Sequence, residues 1–158
     1  MFTNTYTPHT GGVACSVESF AAMLEEMGHA CHVFAPEYDG KTDDPVAVTR
    51  IPALKDVNQS GYSFGLPMLT RIEGRLKEFQ PDVIHSHHPF ILGDSALRMA
   101  RKRECPLVFT HHTLYEQYTH NLPIDHEVIR ELVIRQATTY ANHCDAVIAP
   151  SQSIKKLL

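Results

Sequence analysis

Short apolar segments alternate with amphipathic segments along most of this 158-residue chain, and this alternation constrains its fold more than any other feature. The first amphipathic segment is followed by Gly28, the residue type that most often ends a helix. Its apolar residues recur at helical spacing and are Val13, Val17, Phe20, Leu24 and Met27. Alternating strands and helices are typical of βαβ units, which build a mostly parallel sheet with helices on both faces. The sequence therefore predicts one α/β domain over residues 1–158, with three layers in the order αβα.

The predicted elements follow from the spacing of apolar residues, prolines and polar turns. Strands are predicted at residues 1–3, 29–36, 46–51, 82–86, 107–110 and 146–149. Helices are predicted at 13–27, 69–79, about 96–103 and 125–143, and the cap residues of the third are Gly93, Asp94 and Ser95. Polar loops are predicted at 37–45, 55–64 and 115–123, and Ser151 is predicted to cap a last helix.

A polar turn at residues 4–12 joins the first predicted strand to the first helix, and it contains the pair Gly11-Gly12. Unpaired N–H groups at the start of a helix carry partial positive charge and favour an anion, and glycine lets that anion approach the backbone. The pair matches neither the G-x-G-x-x-G fingerprint nor the P-loop, so neither nucleotide motif is predicted. Two interpretations stay open, an anion site at Gly11 and Gly12 or a simple tight turn.

Histidine is the most distinctive residue type, with eleven in the chain. Five of them cluster where two predicted strands end, at His85, His87, His88, His111 and His112. Ligands bind beyond the carboxyl ends of the strands in open parallel sheets, so these histidines and the glycine turn are expected along one edge. Strand-end histidines can bind a metal, but hydrolytic sites usually add carboxylates, and the acids nearby in sequence are only Asp82, Asp94 and Glu116. A metal-dependent hydrolase using His85–His88 and His111–His112 stays open beside packing or hydrogen bonding at the sheet edge.

Composition and charge argue against several classes of protein. A net charge of −4 gives no indication of a nucleic-acid partner. Four separated cysteines without a C-x-x-C pair are typical of reduced thiols in a cytoplasmic protein, and no apolar run is long enough to cross a bilayer. Basic side chains on two predicted helices either face solvent or contact a membrane surface peripherally; they are Arg71, Arg75, Lys77, Arg98, Arg101, Lys102 and Arg103.

Four segments resemble signatures of one enzyme family and occur in the family's order. They are TNTYTPHTGGVACSVESFAAMLEEMGHACHVFAP, PDVIHSHHPFILG, LVFTHHTLYEQYTH and DAVIAPSQSIKKLL. In these motifs the chain is similar to the N-terminal, acceptor-side domain of GT-B glycosyltransferases of family 4. The third segment is especially similar to diacylglycerol glucosyltransferases and their near relatives. The resemblance covers essentially the whole chain.

The resemblance implies a Rossmann-like domain that forms one half of a two-domain cleft. It also implies transfer of a hexose, with retention of anomeric configuration, from a nucleotide-sugar such as a UDP- or GDP-hexose. The acceptor would be a lipid or a small hydroxylated molecule, and no metal or other cofactor is expected. The implied setting is the cytoplasm, or the cytoplasmic face of the membrane as a peripheral protein.

Residue roles follow from the resemblance position by position. Gly11 and Gly12 correspond to the donor-binding turn beside the diphosphate, and His112 corresponds to the catalytic histidine beside the transferred sugar. Acceptor contacts are implied at His87, His88, Tyr115 and Tyr118.

Two departures from the family pattern matter for function. Family members usually have a few apolar residues before the position of Phe2, and the C-terminal donor domain is absent from these 158 residues. The expectation is therefore that activity belongs to a longer parent protein and that these residues alone are inactive. A metal-dependent hydrolase and a non-catalytic nucleotide- or sugar-binding module remain the alternatives.

Overall fold

The computed structural model describes residues 1–9, 11–38, 46–54, 64–66, 68–112 and 126–156. The helices in these ranges are α1 (Gly12–Glu26), α2 (Leu69–Phe79), α3 (Leu92–Arg103), α4 (His126–Ala141) and α5 (Gln152–Lys155). The strands are β1 (His32–Pro36), β2 (Ala47–Ile51), β3 (Ala53–Leu54), β4 (Phe64–Gly65), β5 (Ile84–Ser86), β6 (Leu107–Thr110) and β7 (Ala146–Ile148).

The main sheet is parallel, and a residue near the amino terminus joins its two halves. β1 pairs with β2 in one half, and β5, β6 and β7 pair in that order in the other. Phe2 bridges to Phe34 of β1 and to Ser86 of β5. The Phe2 N–H donates to His85 O over 2.8 Å, and the His87 N–H donates to Phe2 O over 2.9 Å. The resulting order, β2–β1–Phe2–β5–β6–β7, confirms the predicted parallel sheet, while β3 and β4 form a separate antiparallel pair.

Helices cover both faces of this sheet because successive strand residues point to opposite sides. On one face, Val17 and Ala21 of α1 belong to the same buried cluster as Val33 and Ala35 of β1. The larger cluster on the other face combines strand residues with residues of α2, α3 and α4, and includes Phe34, Ile72, Leu76, Ile84, Ala96, Met99, Phe109 and Tyr140. This arrangement confirms the predicted three layers.

The start of α3 differs from the prediction. The helix begins at Leu92, before the residues predicted to cap it, so the cap assignment to Gly93, Asp94 and Ser95 was wrong. The reason is a long-range contact, because the Leu92 N–H donates to Asn4 Oδ1 over 3.1 Å. Ser95 Oγ instead donates to Ile91 O over 3.3 Å.

Other boundaries are close to those expected. β1 begins at His32 rather than at residue 29, and α4 covers most of the predicted 125–143. The predicted loop at 115–123 lies outside the described residues, as do most of the loops at 37–45 and 55–64.

Candidate functional site

Three turns that carry candidate residues lie at the carboxyl edge of the sheet. One turn follows Phe2 and leads to Gly11 and Gly12, and the second follows β5 with His87 and His88. The third follows β6, where the His111 N–H donates to Ile148 O of β7 over 3.0 Å. These strands are parallel, so all three turns leave the same edge, the side on which ligands bind in open α/β sheets.

Asn4 ties the first two turns together through three hydrogen bonds. Its Nδ2 donates to Phe90 O over 3.0 Å, and its Oδ1 accepts from Leu92 N over 3.1 Å. Its backbone N–H donates to His88 Nδ1 over 3.1 Å. A neutral imidazole carries its proton on the nitrogen that is not accepting, so this contact places the His88 proton on Nε2. Asn4 was not predicted as a site residue, because no local pattern shows that a turn residue contacts partners 84 to 88 residues away.

His87 and His112 form a direct hydrogen-bonded pair between the second and third turns. A distance of 2.9 Å separates His87 Nδ1 from His112 Nε2, and the ring centroids lie 5.2 Å apart. His87 has no exposed surface, whereas His112 is half-buried. His87 therefore reaches a bound molecule through its neighbours, while His112 lies closer to solvent.

On the face of the sheet that α1 covers, His85 and Phe20 pack beside the His87–His112 pair. The ring of His85 lies 4.1 Å from that of His87, and His85 Nε2 is 2.7 Å from Thr110 Oγ1. Phe20 of α1 packs edge-on against His85, with centroids 5.4 Å apart and an interplanar angle of 85°. Phe20 was predicted to lie on the apolar face of α1. The contact of Phe20 with His85 and His87 could not be predicted, because it depends on how α1 packs over β5.

Burial keeps these histidines neutral near neutral pH. Loss of hydration lowers the pKa of His85 and of His112 to about 4, and that of His88 to about 3. Burial, with smaller effects from the neighbouring imidazoles, lowers the pKa of His87 well below its ordinary value. The cluster can therefore donate and accept hydrogen bonds, but it does not supply fixed positive charge.

The glycine turn leads into α1 without needing glycine for its own geometry. Gly11 is the N-cap residue with extended backbone, φ −177° and ψ 162°, and Gly12 is the first residue of α1. Among the described residues beyond its chain neighbours and its own helix backbone, a Cβ placed on Gly12 would meet no atom within 4 Å, and one on Gly11 would come no closer than 3.6 Å, to His9. Among the described residues, no side chain caps the start of the helix.

A different glycine is required by the packing at this edge. A Cβ on Gly93 in the first turn of α3 would lie 1.9 Å from His88 O and 2.8 Å from His88 C. The same backbone oxygen accepts a hydrogen bond from Ser86 Oγ over 2.7 Å, and Tyr140 Oη donates to Gly93 O over 3.0 Å. Gly93 was singled out only as a cap residue, because its contact with the His88 backbone depends on how α3 packs over the turn.

A metal site is not found in the part of the chain that the structure describes. Among those residues, no group of three or more His, Cys, Asp or Glu side chains is placed to hold a metal ion. The hydrogen bond between His87 and His112 also occupies a nitrogen lone pair that a metal would need. Of the residues predicted from sequence, Gly11, Gly12, His87, His88 and His112 are described, whereas Tyr115 and Tyr118 lie outside the described residues.

Comparison with known proteins relates nearly the whole chain to one family. Residues 10–158 match the profile of Glycosyltransferase Family 4. The chain is 29% identical over 159 residues to the Alpha-monoglucosyldiacylglycerol synthase of Streptococcus pneumoniae, covering 100% of this chain and 36% of that protein. It is 30% identical over 162 residues to the Alpha-monoglucosyldiacylglycerol synthase of Acholeplasma laidlawii, covering 98% of this chain and 40% of that protein.

A third relative is named for a different activity. The GDP-mannose-dependent alpha-mannosyltransferase of Mycobacterium tuberculosis is 30% identical over 115 residues, which covers 69% of this chain and 30% of that protein. The chain thus spans less than half the length of each of these relatives.

Proposed function

Because this chain belongs to glycosyltransferase family 4, we propose that it is the acceptor-side domain of a retaining glycosyltransferase that moves a hexose from a nucleotide-sugar to a lipid acceptor. The observation that carries the proposal is the similarity to two glucosyldiacylglycerol synthases over 98% and 100% of the chain. The two synthases are 29% and 30% identical to this chain, against 27% for a GDP-mannose-dependent alpha-mannosyltransferase that covers 93% of it, so a diacylglycerol acceptor is the one proposed. The donor is a UDP- or GDP-hexose.

The glycine turn suits the donor diphosphate. A departing nucleoside diphosphate gains negative charge in the transition state, and amides at a helix start stabilise that charge without rearranging. Gly12 has no atom within 4 Å of its Cβ position, and neither Gly11 nor Gly12 has a positive φ. The fold itself therefore accepts a side chain at Gly12, and space for a phosphate is a reason to have glycine there.

The neutral histidines suit the sugar and the acceptor. His112 is half-buried beside His87 and has a pKa of about 4, so near neutral pH it offers a hydrogen bond rather than a positive charge. His88 accepts from Asn4 at Nδ1, which leaves its Nε2–H to donate to a hydroxyl group. We assign His112 to the transferred sugar and His88 to the acceptor, and Tyr115 and Tyr118 are proposed as further acceptor contacts.

The decisive experiment is a transfer assay on the full-length protein. With UDP-glucose or GDP-mannose and diacylglycerol in vesicles, we expect a glycolipid with the donor's anomeric configuration, and we expect its formation to continue in excess EDTA. The 158 residues alone are expected to give no product, because they match only 36% and 40% of the lengths of the synthase relatives.

The same assay separates the alternatives. Hydrolysis that stops with EDTA and returns with zinc would support the metal-dependent hydrolase instead. Tight binding of a nucleotide-sugar by the full-length protein without any transfer would support a binding module.

A cationic surface on α2 and α3 is proposed to contact anionic lipids. No helix in the described ranges is long and apolar enough to span a bilayer. Both helices bury residues in the same cluster against one face of the sheet, and Lys102 pairs with Glu73 across them. Arg98 and Arg101 are exposed on α3.

We expect the double variant Arg98→Glu/Arg101→Glu to weaken binding to vesicles rich in anionic lipid. Each basic residue near such a surface contributes about 1 kcal/mol, so losing two should weaken binding by about 30-fold or more at low salt. The matched control is Lys155→Glu/Lys156→Glu at α5, which changes the charge equally at two exposed positions. Equal binding of the two variants in a vesicle co-sedimentation assay would show that the α2–α3 surface is not the contact.

A further inference from the structure

We infer that His87 is a positioning residue that holds His112 in the tautomer with its proton on Nδ1, ready to donate to the substrate. The inference rests on the role proposed for His112, and it goes further by assigning a function to a side chain that no substrate can touch. His87 has no exposed surface, and His87 Nδ1 lies 2.9 Å from His112 Nε2. Any effect of His87 on the reaction must therefore pass through a neighbouring group.

The ring of His87 is held in place from several sides. The His85 ring lies 4.1 Å away, and the Phe20 ring of α1 lies 6.0 Å away. The His87 backbone N–H is bonded to Phe2 O in the centre of the sheet. His85 is itself anchored, since its Nε2 is 2.7 Å from Thr110 Oγ1 of β6. A ring fixed in this way can orient a more exposed partner, which is how buried groups orient histidines in many active sites.

The direction of the hydrogen bond follows from the second nitrogen of His87. Both imidazoles are neutral, so one proton lies between His87 Nδ1 and His112 Nε2. The His87 Nε2 atom is buried and has no hydrogen-bond partner among the described residues. If His112 donated, the His87 proton would sit on this nitrogen as a buried N–H without an acceptor. Folded proteins tolerate a buried acceptor without a donor more readily than a buried N–H without an acceptor.

His87 Nδ1–H therefore donates to His112 Nε2, and the proton of His112 lies on Nδ1. Among the described residues, His112 makes one side-chain hydrogen bond, between its Nε2 atom and His87. His112 Nδ1–H then remains as a donor for a sugar hydroxyl or for the oxygen that gains negative charge during transfer. His87, which the sequence predicted to contact the acceptor, is thus proposed to act through His112 instead.

Two amide substitutions at His87 test this arrangement. The asparagine amide in His87→Asn can occupy the position of Nδ1, whereas the longer glutamine amide in His87→Gln reaches the position of Nε2. We expect His87→Gln to lower kcat of the full-length enzyme by about tenfold or more, and His87→Asn to keep several-fold more of it. Urea unfolding measures the stability of both variants and shows whether a lower kcat results from a smaller folded fraction. Equal kcat values in two folded variants, or a higher value for His87→Gln, would overturn the inference.

A second measurement needs no variant at His87. Two-bond ¹H–¹⁵N correlation spectra of the ¹⁵N-histidine-labelled protein report which ring nitrogen carries the proton, and His112→Ala identifies the His112 signals. We expect a protonated Nδ1 and an unprotonated Nε2 for His112, and the reverse pattern would refute the inference. This readout is independent of transfer, so it still decides which tautomer His87 imposes on His112 if His112 proves unnecessary for turnover.

Discussion

His112→Ala in the full-length enzyme is expected to lower kcat for hexose transfer by on the order of 10²-fold, with a much smaller change in KM for the nucleotide-sugar. The physical reason is that a hydrogen bond from the neutral imidazole to developing charge is stronger in the transition state than in the ground state. Steady-state kinetics with saturating acceptor measure both constants. The fold should survive, since His112 is only half-buried.

A companion variant separates chemistry from donor binding at the same edge. Gly12→Leu should raise KM for the donor, because the side chain would fill the space in front of the first amides of α1, where a Cβ meets no protein atom within 4 Å. His29→Ala is the control, since His29 is exposed after α1 and away from the carboxyl edge. Unchanged kcat in His112→Ala, with the same anomeric product, would remove His112 from the proposed site.

Gly93→Ala is expected to destabilise the fold by on the order of 3 kcal/mol, because the added methyl group overlaps backbone rather than a movable side chain. Its Cβ would lie 1.9 Å from His88 O, so either α3 or the turn after β5 must move. Moving the turn disturbs the bond from Ser86 Oγ to His88 O and the contact between Asn4 N and His88 Nδ1. Urea unfolding followed by circular dichroism measures the change in free energy.

Gly74→Ala is the matched control for this prediction. Gly74 is an exposed residue in the middle of α2, and a Cβ there would meet nothing within 4 Å. Alanine favours a helix over glycine, so this variant should stabilise the protein by about 1 kcal/mol. If both variants change the free energy of unfolding in the same direction, the close approach of the His88 backbone is not the reason for glycine at position 93.

Much of the fold was predictable because it depends on local patterns. The apolar spacing around Val17 in α1, and the buried strands around Phe34 and Phe109, need only periodicity to be recognised. The start of α3 was not predictable in this way. Its first amide is satisfied by Asn4, so the helix begins before the residues that local preferences select as caps.

The sequence could predict which turns lie together in the candidate site, but not which of their side chains form hydrogen bonds. The rule that parallel strands end at one edge brings His87 and His112 into the same region before any coordinates are known. Their pairing depends on register, since Ser86 lies opposite Phe109, and His87 and His112 lie in the segments that follow these two strands. Neither register nor the burial of His87 has a local signature, which is why the sequence left a metal site, packing and substrate contact all open for the histidines.

The place of Phe2 in the sheet has a consequence for the order in which the protein assembles. Phe2 lies in the middle of the sheet, and its partners Phe34 and Ser86 come much later in the sequence. Contacts between residues that are far apart in sequence form slowly, because closing the loop between them costs conformational entropy. The bridge from Phe2 to Ser86 joins residues that are further apart in sequence than any strand pair within either half of the sheet, so we expect the insertion of Phe2 beside β5 to be a late event in folding. Asn4 lies only two residues further on and connects the turns of the candidate site, so the site and the finished sheet should form in the same step.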